Sequence, residues 1–585
     1  MNKFIDILND IFKDAFEELG YNNKYGQINL SNRPDLCQFQ CNGALPASKE
    51  YKKNPKIIAE EILSKVKNHE IFSEVTIAGP GFINITIKDE FISDYLNKMC
   101  MHDKLGVVEE ICPKTIIVDY GGANIAKPLH VGHLRAAIIG ESIKKMARFL
   151  GHKVIGDVHL GDWGLQIGMV IAGVKRRNPE LPYFDENFQG QYPKEAPFTI
   201  DELEEIYPSE SKIAKNDEKE MEKAKQITVE LQQGRKGYLA LWKHILNVSV
   251  KDLKKNYGTL NVEFDLWNGE SDCEKYIPVM INYLKDNGYA YISEGALVVD
   301  VKEDSDKQPM PPIIIQKSDG ASLYGTTDLA TIWERVKSYS PNEIIYVVDK
   351  RQGLHFEQVF RCAQKCNIVD GNVKLEFIGF GTMNGKDGKP FKTRDGGVMR
   401  LNDLIALIKD SVKEKMKNND EISLTEKEEM SRIIAVAALK YGDLSNILTK
   451  DYIFDLDKFT SFDGNTGPYI LYTVVRIKSI LRKADYLYEN SCIVTPNSGV
   501  ERDLMLKLCK FNEVIYQSFE ENSPNKICEY MYDISNIFNK FYNENKIIAE
   551  ESICLKNSWL NLIYLASRVI DSCLGLLGID TLERM

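Results

Sequence analysis

A chain of 585 residues, 43% hydrophobic, 27% charged and 10% aromatic, is too long for one hydrophobic core and too apolar for disorder, so about three or four ordered domains are expected. A formal charge of −11 argues against indiscriminate nucleic-acid binding, though a local basic groove remains compatible with it. Twelve cysteines include no C-x-x-C pair, which argues against structural zinc; with no secretory leader and no long apolar run, a cytoplasmic protein with free thiols and no membrane attachment is expected.

In chain order, Phe4, Leu8, Ile11, Phe12, Phe16 and Leu19 recur at helical spacing among charges and predict an amphipathic packing helix. A second helical stretch lies at 57–66, and residues 75–87 alternate around a Gly-Pro-Gly turn, the pattern of a hairpin. Residues 1–112 are therefore expected to form a small α+β domain. From Thr115 short apolar runs at 116–118, 154–155, 344–348 and 375–378 alternate with helices, which predicts buried parallel strands in a doubly wound, Rossmann-type α/β domain over 113–400. A long interval separates the second and third runs, so the sheet carries a large insertion at about 175–310, with a charged stretch at 202–225 and a helix bearing Leu239, Trp242 and Leu246. After 401 strand signals fade, and amphipathic stretches at 432–441, 469–487, 502–519, 527–541 and 559–577 predict an all-α helical bundle over 401–585.

Residues 115–135 carry the chemistry. A strand ends at Asp119, a glycine-containing loop follows, and His130-Val-Gly-His133 stands where a helix begins, with Ile139, Ile143, Met146 and Leu150 on its buried stripe. A helix N-terminus after the first strand of a parallel sheet is a ready anion site. Histidines there can donate to phosphate oxygens, and Gly132 admits a flat nucleotide close to the backbone, a geometry that suits ATP. In isolation the two histidines also read as metal ligands or a helix cap; the strand-loop-helix setting and Lys127 favour phosphate.

His130-Val-Gly-His133 resembles the HIGH signature of class I aminoacyl-tRNA synthetases, and the surrounding Asn124-Ile-Ala-Lys127 and Leu134-Arg135 narrow the resemblance to arginyl-tRNA synthetases. Gly161-Asp-Trp-Gly164 and residues 316–320, 324–330, 346–352, 462–469 and 576–579 look like further family blocks in family order; Asn268-Gly-Glu270-Ser271 looks like another, of open role. Residues 388–397 resemble the degenerate KMSKS loop in either of two registers: aligned on Arg394 the second lysine position is Thr393, and aligned on Lys389 it is Lys392. Where that lysine is missing, the resemblance offers Lys127 as the cation on the pyrophosphate side.

The resemblance implies ATP-dependent activation of L-arginine and its transfer to the 3′-terminal adenosine of tRNA(Arg), with Mg2+ neutralising phosphate charge and activation requiring bound tRNA. Lys127, His130, His133, Lys392 and Arg394 would be catalytic; His130, Gly132, His133, Lys389 and Lys392 would bind ATP. A guanidinium and an ammonium need carboxylates and planar acceptors. The resemblance puts Tyr324, Asp328 and Gln352 around the arginine side chain and Asp119, Asn124 and His130 at its amino-acid end. Asp328 also reads as a helix-N-terminal charge complementing the dipole. Phe39 and Asn42 resemble the patch that meets the tRNA elbow, with phenylalanine where tyrosine is frequent; Phe39 reads equally as core. Tyr469, Tyr472, Arg476 and Lys478 would approach the anticodon, although Tyr469 also reads as part of a buried network. No metal bound by protein ligands is expected, and the expected assembly is a monomer. Two other functions fit less well: a small-metabolite nucleotidyl transferase would lack the N-terminal domain and the bundle, and a silent RNA-binding paralogue would have lost His130, His133 or Lys127.

Overall fold

The structure is a computed structural model that describes residues 1–33, 36–127, 129–318, 320–389, 391, 399–416, 423–487 and 492–585. The chain divides into two compact units. The first comprises Met1–Glu109, Phe462–Gly575 and Thr581–Met585. Its N-terminal helix Phe4–Glu18 buries Phe4, Leu8, Phe12 and Phe16 of the predicted stripe, with Ile11 and the C-cap Leu19 half-buried, beside a four-stranded antiparallel sheet. Phe72–Ala78 and Phe82–Ile87 form the predicted hairpin of that sheet, with Val75 opposite Ile85. The C-terminal helices join the same unit: Asn97 exchanges two hydrogen bonds with the Ile493 backbone, at 2.9 and 2.8 Å, and Arg502 donates to the Ile87 carbonyl at 2.7 Å. The stretch predicted as one amphipathic run at 502–519 is two helices, Gly499–Leu508 and Phe511–Glu520, because the chain turns at 509–510.

The second unit comprises Glu110–Ser461 and Leu576–Asp580. All four predicted apolar runs become strands of one parallel sheet, ordered Lys374–Phe380, Glu343–Asp349, Thr115–Asp119, Lys153–Asp157. The apolar residues of the two central strands are buried on both faces, with Ile116, Ile117, Val118 and Ile344 at 0% exposure, which is why those runs are continuous and not alternating. From Thr115–Asp119 the chain first adds a strand on one side and later, with Glu343–Asp349, on the other. That reversal opens a crevice beyond the carboxyl ends of these two strands.

Between the second and third strands lie the helices Ile200–Asn216, Glu218–Gln232 and Lys236–Thr259 and a three-stranded antiparallel sheet. The helix Lys236–Thr259 carries Leu239, Trp242 and Leu246 half-buried, while Tyr238, Leu241, Ile245 and Leu253 form its buried stripe. Trp242 instead donates its indole N–H to the Asp162 carbonyl at 2.9 Å. Behind the crevice, the helix Val131–Phe149 is tied to the helix Leu424–Leu444 by Arg135, fully buried, which pairs with Asp443 at 3.0 Å and donates to the Gly381 carbonyl at 2.7 Å. Among the described residues no helix is long and apolar enough to cross a membrane.

Candidate active site at the carboxyl edge of the parallel sheet

His130 is the N-cap of the helix Val131–Phe149. Its Nδ1 accepts from the Gly132 amide at 3.0 Å, and the Nδ1 of His133 accepts from the His130 amide at 3.2 Å. The rings lie 3.8 Å apart between centroids. Since both Nδ1 atoms accept, each neutral ring carries its proton on Nε2 and presents an N–H away from its own helix. Burial first, and the Lys127 charge after it, hold His130 below the ordinary imidazole range; burial, with His130 and Lys127 adding, pushes His133 down to about 3. At neutral pH the pair is thus two uncharged donors at the positive end of a helix. Gly132 is required by its own neighbour: a Cβ there would sit 2.8 Å from His130 Cε1.

These residues line a cavity of about 450 Å³ together with Gly121, Gly122, Asp349, Gln352, Thr382 and Phe391, within the usual range for a small-molecule site. Gln352 caps the helix Gly353–Lys365 at the cavity edge, and Asp349 is occupied by Arg351, whose Nη2 donates at 2.6 Å. Asp119, at the end of its strand, is bound from below by Arg335: one Nη2 donates to Asp119 at 2.6 Å and to Asp157 at 2.7 Å, with Arg335 1% exposed. Burial pushes the Asp119 carboxyl up, and Arg335 is the first charge opposing that. Asn124 lies over Gly161, where a Cβ would come within 2.2 Å of its Oδ1, and the two backbones bridge in parallel.

The two blocks whose roles the sequence left open hold each other. Asp162, 2% exposed, accepts from the Ser271 amide at 3.0 Å and its hydroxyl at 2.6 Å, and Leu160 bridges Gly269. This fixes Glu270 at the start of the short helix Glu270–Cys273. Burial pushes the Glu270 carboxyl up to about 7; His159 opposes this, and the charges of Asp162 and Asp328 add to it. Asp328 itself receives His355 Nε2 at 2.5 Å, and Tyr324, one turn earlier, is 76% exposed. Glu270 thus feels the charges of Asp162 and Asp328, and Asp119 and Asp328 both act on Tyr346, so four chain segments bring carboxylates near one another; sequence reasoning assigned a role to Asp119 and Asp328 only. Arg335 and Asp162 carried no motif role; the signal for Arg335 was its helical register with Asp328 and Thr331, two polar residues on the same stripe of Tyr324–Tyr339.

Other assigned residues lie elsewhere. Lys389 is in an exposed turn whose backbone accepts from Gly385 at 2.8 Å; Lys392 and Arg394, with Thr393, lie outside the described residues. Lys127 rests its Nζ 4.3 Å from the centre of the Tyr207 ring. In the first unit, Phe39 is 4% exposed and packs against Phe4 at 6.0 Å. Of the two readings weighed for Phe39, this burial is the one expected of a core residue. Asn42 keeps a buried Oδ1 that meets no donor among the described residues. Tyr469 donates to Asn536 at 2.8 Å and accepts from Asn539 at 2.9 Å, while Arg476 donates to Asn539 at 2.7 Å and to Tyr472 at 2.8 Å, so both belong to one polar network.

The description of class I (R) tRNA synthetase catalytic domains matches residues 96–456, that of arginyl-tRNA synthetase N-terminal domains residues 5–87, and that of DALR anticodon-binding domains residues 470–585. The chain is 63% identical to an arginine–tRNA ligase of Alkaliphilus oremlandii and 53% identical to one of Agathobacter rectalis, over 100% of each chain. Among solved structures it is similar to an arginyl-tRNA synthetase of Plasmodium falciparum (27% identity, TM-score 0.82) and shares its fold with that of Thermus thermophilus (19%, TM-score 0.80), both covered over 100% of each chain. A catalytic-domain match over more than half the chain, set on a histidine pair at the switch point of a parallel sheet, establishes that this chain belongs to the arginyl-tRNA synthetase family of class I synthetases.

Proposed function

We propose that the chain ligates L-arginine to tRNA(Arg) in two steps at the crevice above Asp119. In the first, the arginine carboxylate attacks the α-phosphorus of ATP, the bond to pyrophosphate breaks, and arginyl-adenylate forms. In the second, the 2′-hydroxyl of the terminal adenosine attacks the adenylate carbonyl and AMP departs. No protein nucleophile is needed, so catalysis is positioning and electrostatics. The Nε2–H groups of His130 and His133 bind phosphate oxygens, Gly132 lets the adenosine approach, and Lys127 meets the charge that develops toward pyrophosphate, with Lys389, Lys392 and Arg394 assigned to the same side. Asp119 and Asn124 take the substrate's amino-acid end; Tyr324, Asp328 and Gln352 take its side chain, and Glu270 joins them.

The observation that carries this reading is the pairing of two neutral N–H donors at a helix N-terminus with a neighbouring surplus of buried carboxylates. One side suits a phosphate, the other a cationic side chain. Among the described residues one group has metal-ligand spacing: Asp119, Asp157 and His159. Arg335 already occupies both of its carboxylates, so this set does not fit a divalent ion, and Mg2+ is assigned to the phosphate oxygens of MgATP. Asn42, Tyr469 and Arg476 are assigned to tRNA; a monomer in the cytoplasm completes the reading.

ATP–pyrophosphate exchange, with and without tRNA(Arg), tests it. Exchange should depend on arginine and on tRNA. Its absence under both conditions overturns the reaction, and exchange with a different amino acid overturns the specificity.

A further inference from the structure

One turn of the insertion helix Ile200–Asn216 faces both cation-bearing segments that flank the histidine pair. The Tyr207 ring lies under Lys127, and Glu204, three residues earlier on the same face, pairs with Arg400 at 2.8 Å. Arg400 follows the lysine-rich segment and bridges His130 antiparallel; the Val131 amide donates to the Met399 carbonyl at 3.1 Å and the Leu401 amide to the Leu129 carbonyl at 2.9 Å. The helix Lys236–Thr259 grips the same two segments one step further out. Ser249 Oγ accepts from the Ala126 amide at 2.9 Å, holding a non-glycine residue at φ +59°, and Asn256 accepts from Asn402 at 2.8 Å.

A free lysine side chain carries considerable rotamer entropy, which must be given up when it is positioned. An aromatic face holds an ammonium loosely, so it can limit where Lys127 searches and still release it to a phosphate. Glu204 is held differently, in an ion pair whose carboxylate side is 9% exposed and whose Arg400 side is 52% exposed, so solvent screens it in part. Pro208 removes the N–H that would have bonded the Glu204 carbonyl, which puts a local break in the very turn that carries both residues.

We propose that Glu204 and Tyr207 are positioning residues for the phosphate side of ATP: Tyr207 aims Lys127, and Glu204, through Arg400, fixes residues 399–400 beside His130. This rests on the reading of Lys127 as the pyrophosphate-side cation. The test uses the full chain with tRNA in pyrophosphate exchange, comparing Tyr207→Leu, Tyr207→Phe, Glu204→Gln and Lys127→Ala. Tyr207→Leu should lower kcat/KM for ATP by about three- to thirtyfold, the range of one cation–π contact, and Glu204→Gln by about two- to fivefold, the range of a partly exposed ion pair; both should leave the KM for arginine unchanged. Tyr207→Phe keeps the ring and should restore wild-type values, and Tyr207→Leu added to Lys127→Ala should cost nothing further. A damaging Lys127→Ala beside a silent Tyr207→Leu overturns this inference alone. Equal losses toward ATP and arginine in Tyr207→Leu also overturn it, since they mark a general structural effect. A silent Lys127→Ala overturns the role of Lys127 and the inference with it.

Discussion

Glu270 shows how a single buried carboxyl can tie substrate capture to pH. Burial pushes it up to about 7, so on the proposed reading the part of the population protonated near neutrality must lose that proton to receive a guanidinium. Raising pH to about 8 therefore favours arginine. The KM for arginine in pyrophosphate exchange should fall as pH rises from about 6 to about 7.5 and then level off, whereas Glu270→Gln should show a higher KM without that slope. A pH-independent KM in the wild type would show that Glu270 does not face the side chain. Arg335 sets the opposite case, a cation that must never leave. Removing it as Arg335→Met leaves Asp119 and Asp157 buried together without a counter-charge, and a loss of about 3–5 kcal/mol is expected in urea unfolding; a loss below 1 kcal/mol would mean water already screens the pair.

The helix Val131–Phe149 is the element on which most of the chemistry depends, and it shows what a sequence can and cannot disclose. Its buried stripe, its start at His130 and its place after a parallel strand were all readable, because helical period and strand-loop-helix order are local properties. The four strands were readable for the same reason. What was not readable is where one segment meets another far along the chain: Asp162 on Ser271, Arg335 on Asp157, Tyr207 under Lys127. Each is a long-range contact between polar residues, and polar residues leave no periodic mark. Phe39 stayed open between two readings for a related reason, since an aromatic residue that serves a core and one that serves RNA look alike in a short motif. Gly132 lies between these cases. Ordinarily Gly→Ala inside a helix gains up to about 1 kcal/mol. Here the added Cβ meets the His130 ring, so Gly132→Ala should leave the melting temperature almost unchanged while cutting kcat/KM for ATP by about a hundredfold, the usual loss of one preorganised donor. Wild-type activity in Gly132→Ala would show that the cap geometry of His130 does not matter to phosphate binding.

At the scale of the whole chain, the net charge of −11 had weighed against a nucleic-acid partner, yet a global sum says little about charges that act locally. The last of them closes the catalytic unit. Residues Leu576–Asp580, at the far end of the sequence, belong to the unit that contains the parallel sheet. The Lys440 ammonium, 0% exposed, donates to the Gly578 carbonyl at 2.7 Å and to the Leu260 carbonyl at 2.6 Å, and Asn261 adds a bond to Gly578 at 3.3 Å. Gly578 has φ +65°, and a Cβ there would come within 2.6 Å of the lysine Nζ, so the turn is shaped to glycine. Lys440 makes no ion pair among the described residues, and burial pulls it down to about 7 from the ordinary lysine range. Above that pH the folded chain holds a neutral amine, still able to donate both bonds, while the unfolded chain keeps its proton up to the ordinary range. The unfolded state then binds more protons, so this group stabilises the fold increasingly as pH rises from about 7 toward 10. Thermal unfolding of wild type and Lys440→Met at pH 7, 8 and 9 isolates the effect, because every other titrating group is common to both. The wild type should gain on the variant at each step; a constant difference would mean that Lys440 remains charged in the fold and that its carbonyl partners alone outweigh the cost of burying it.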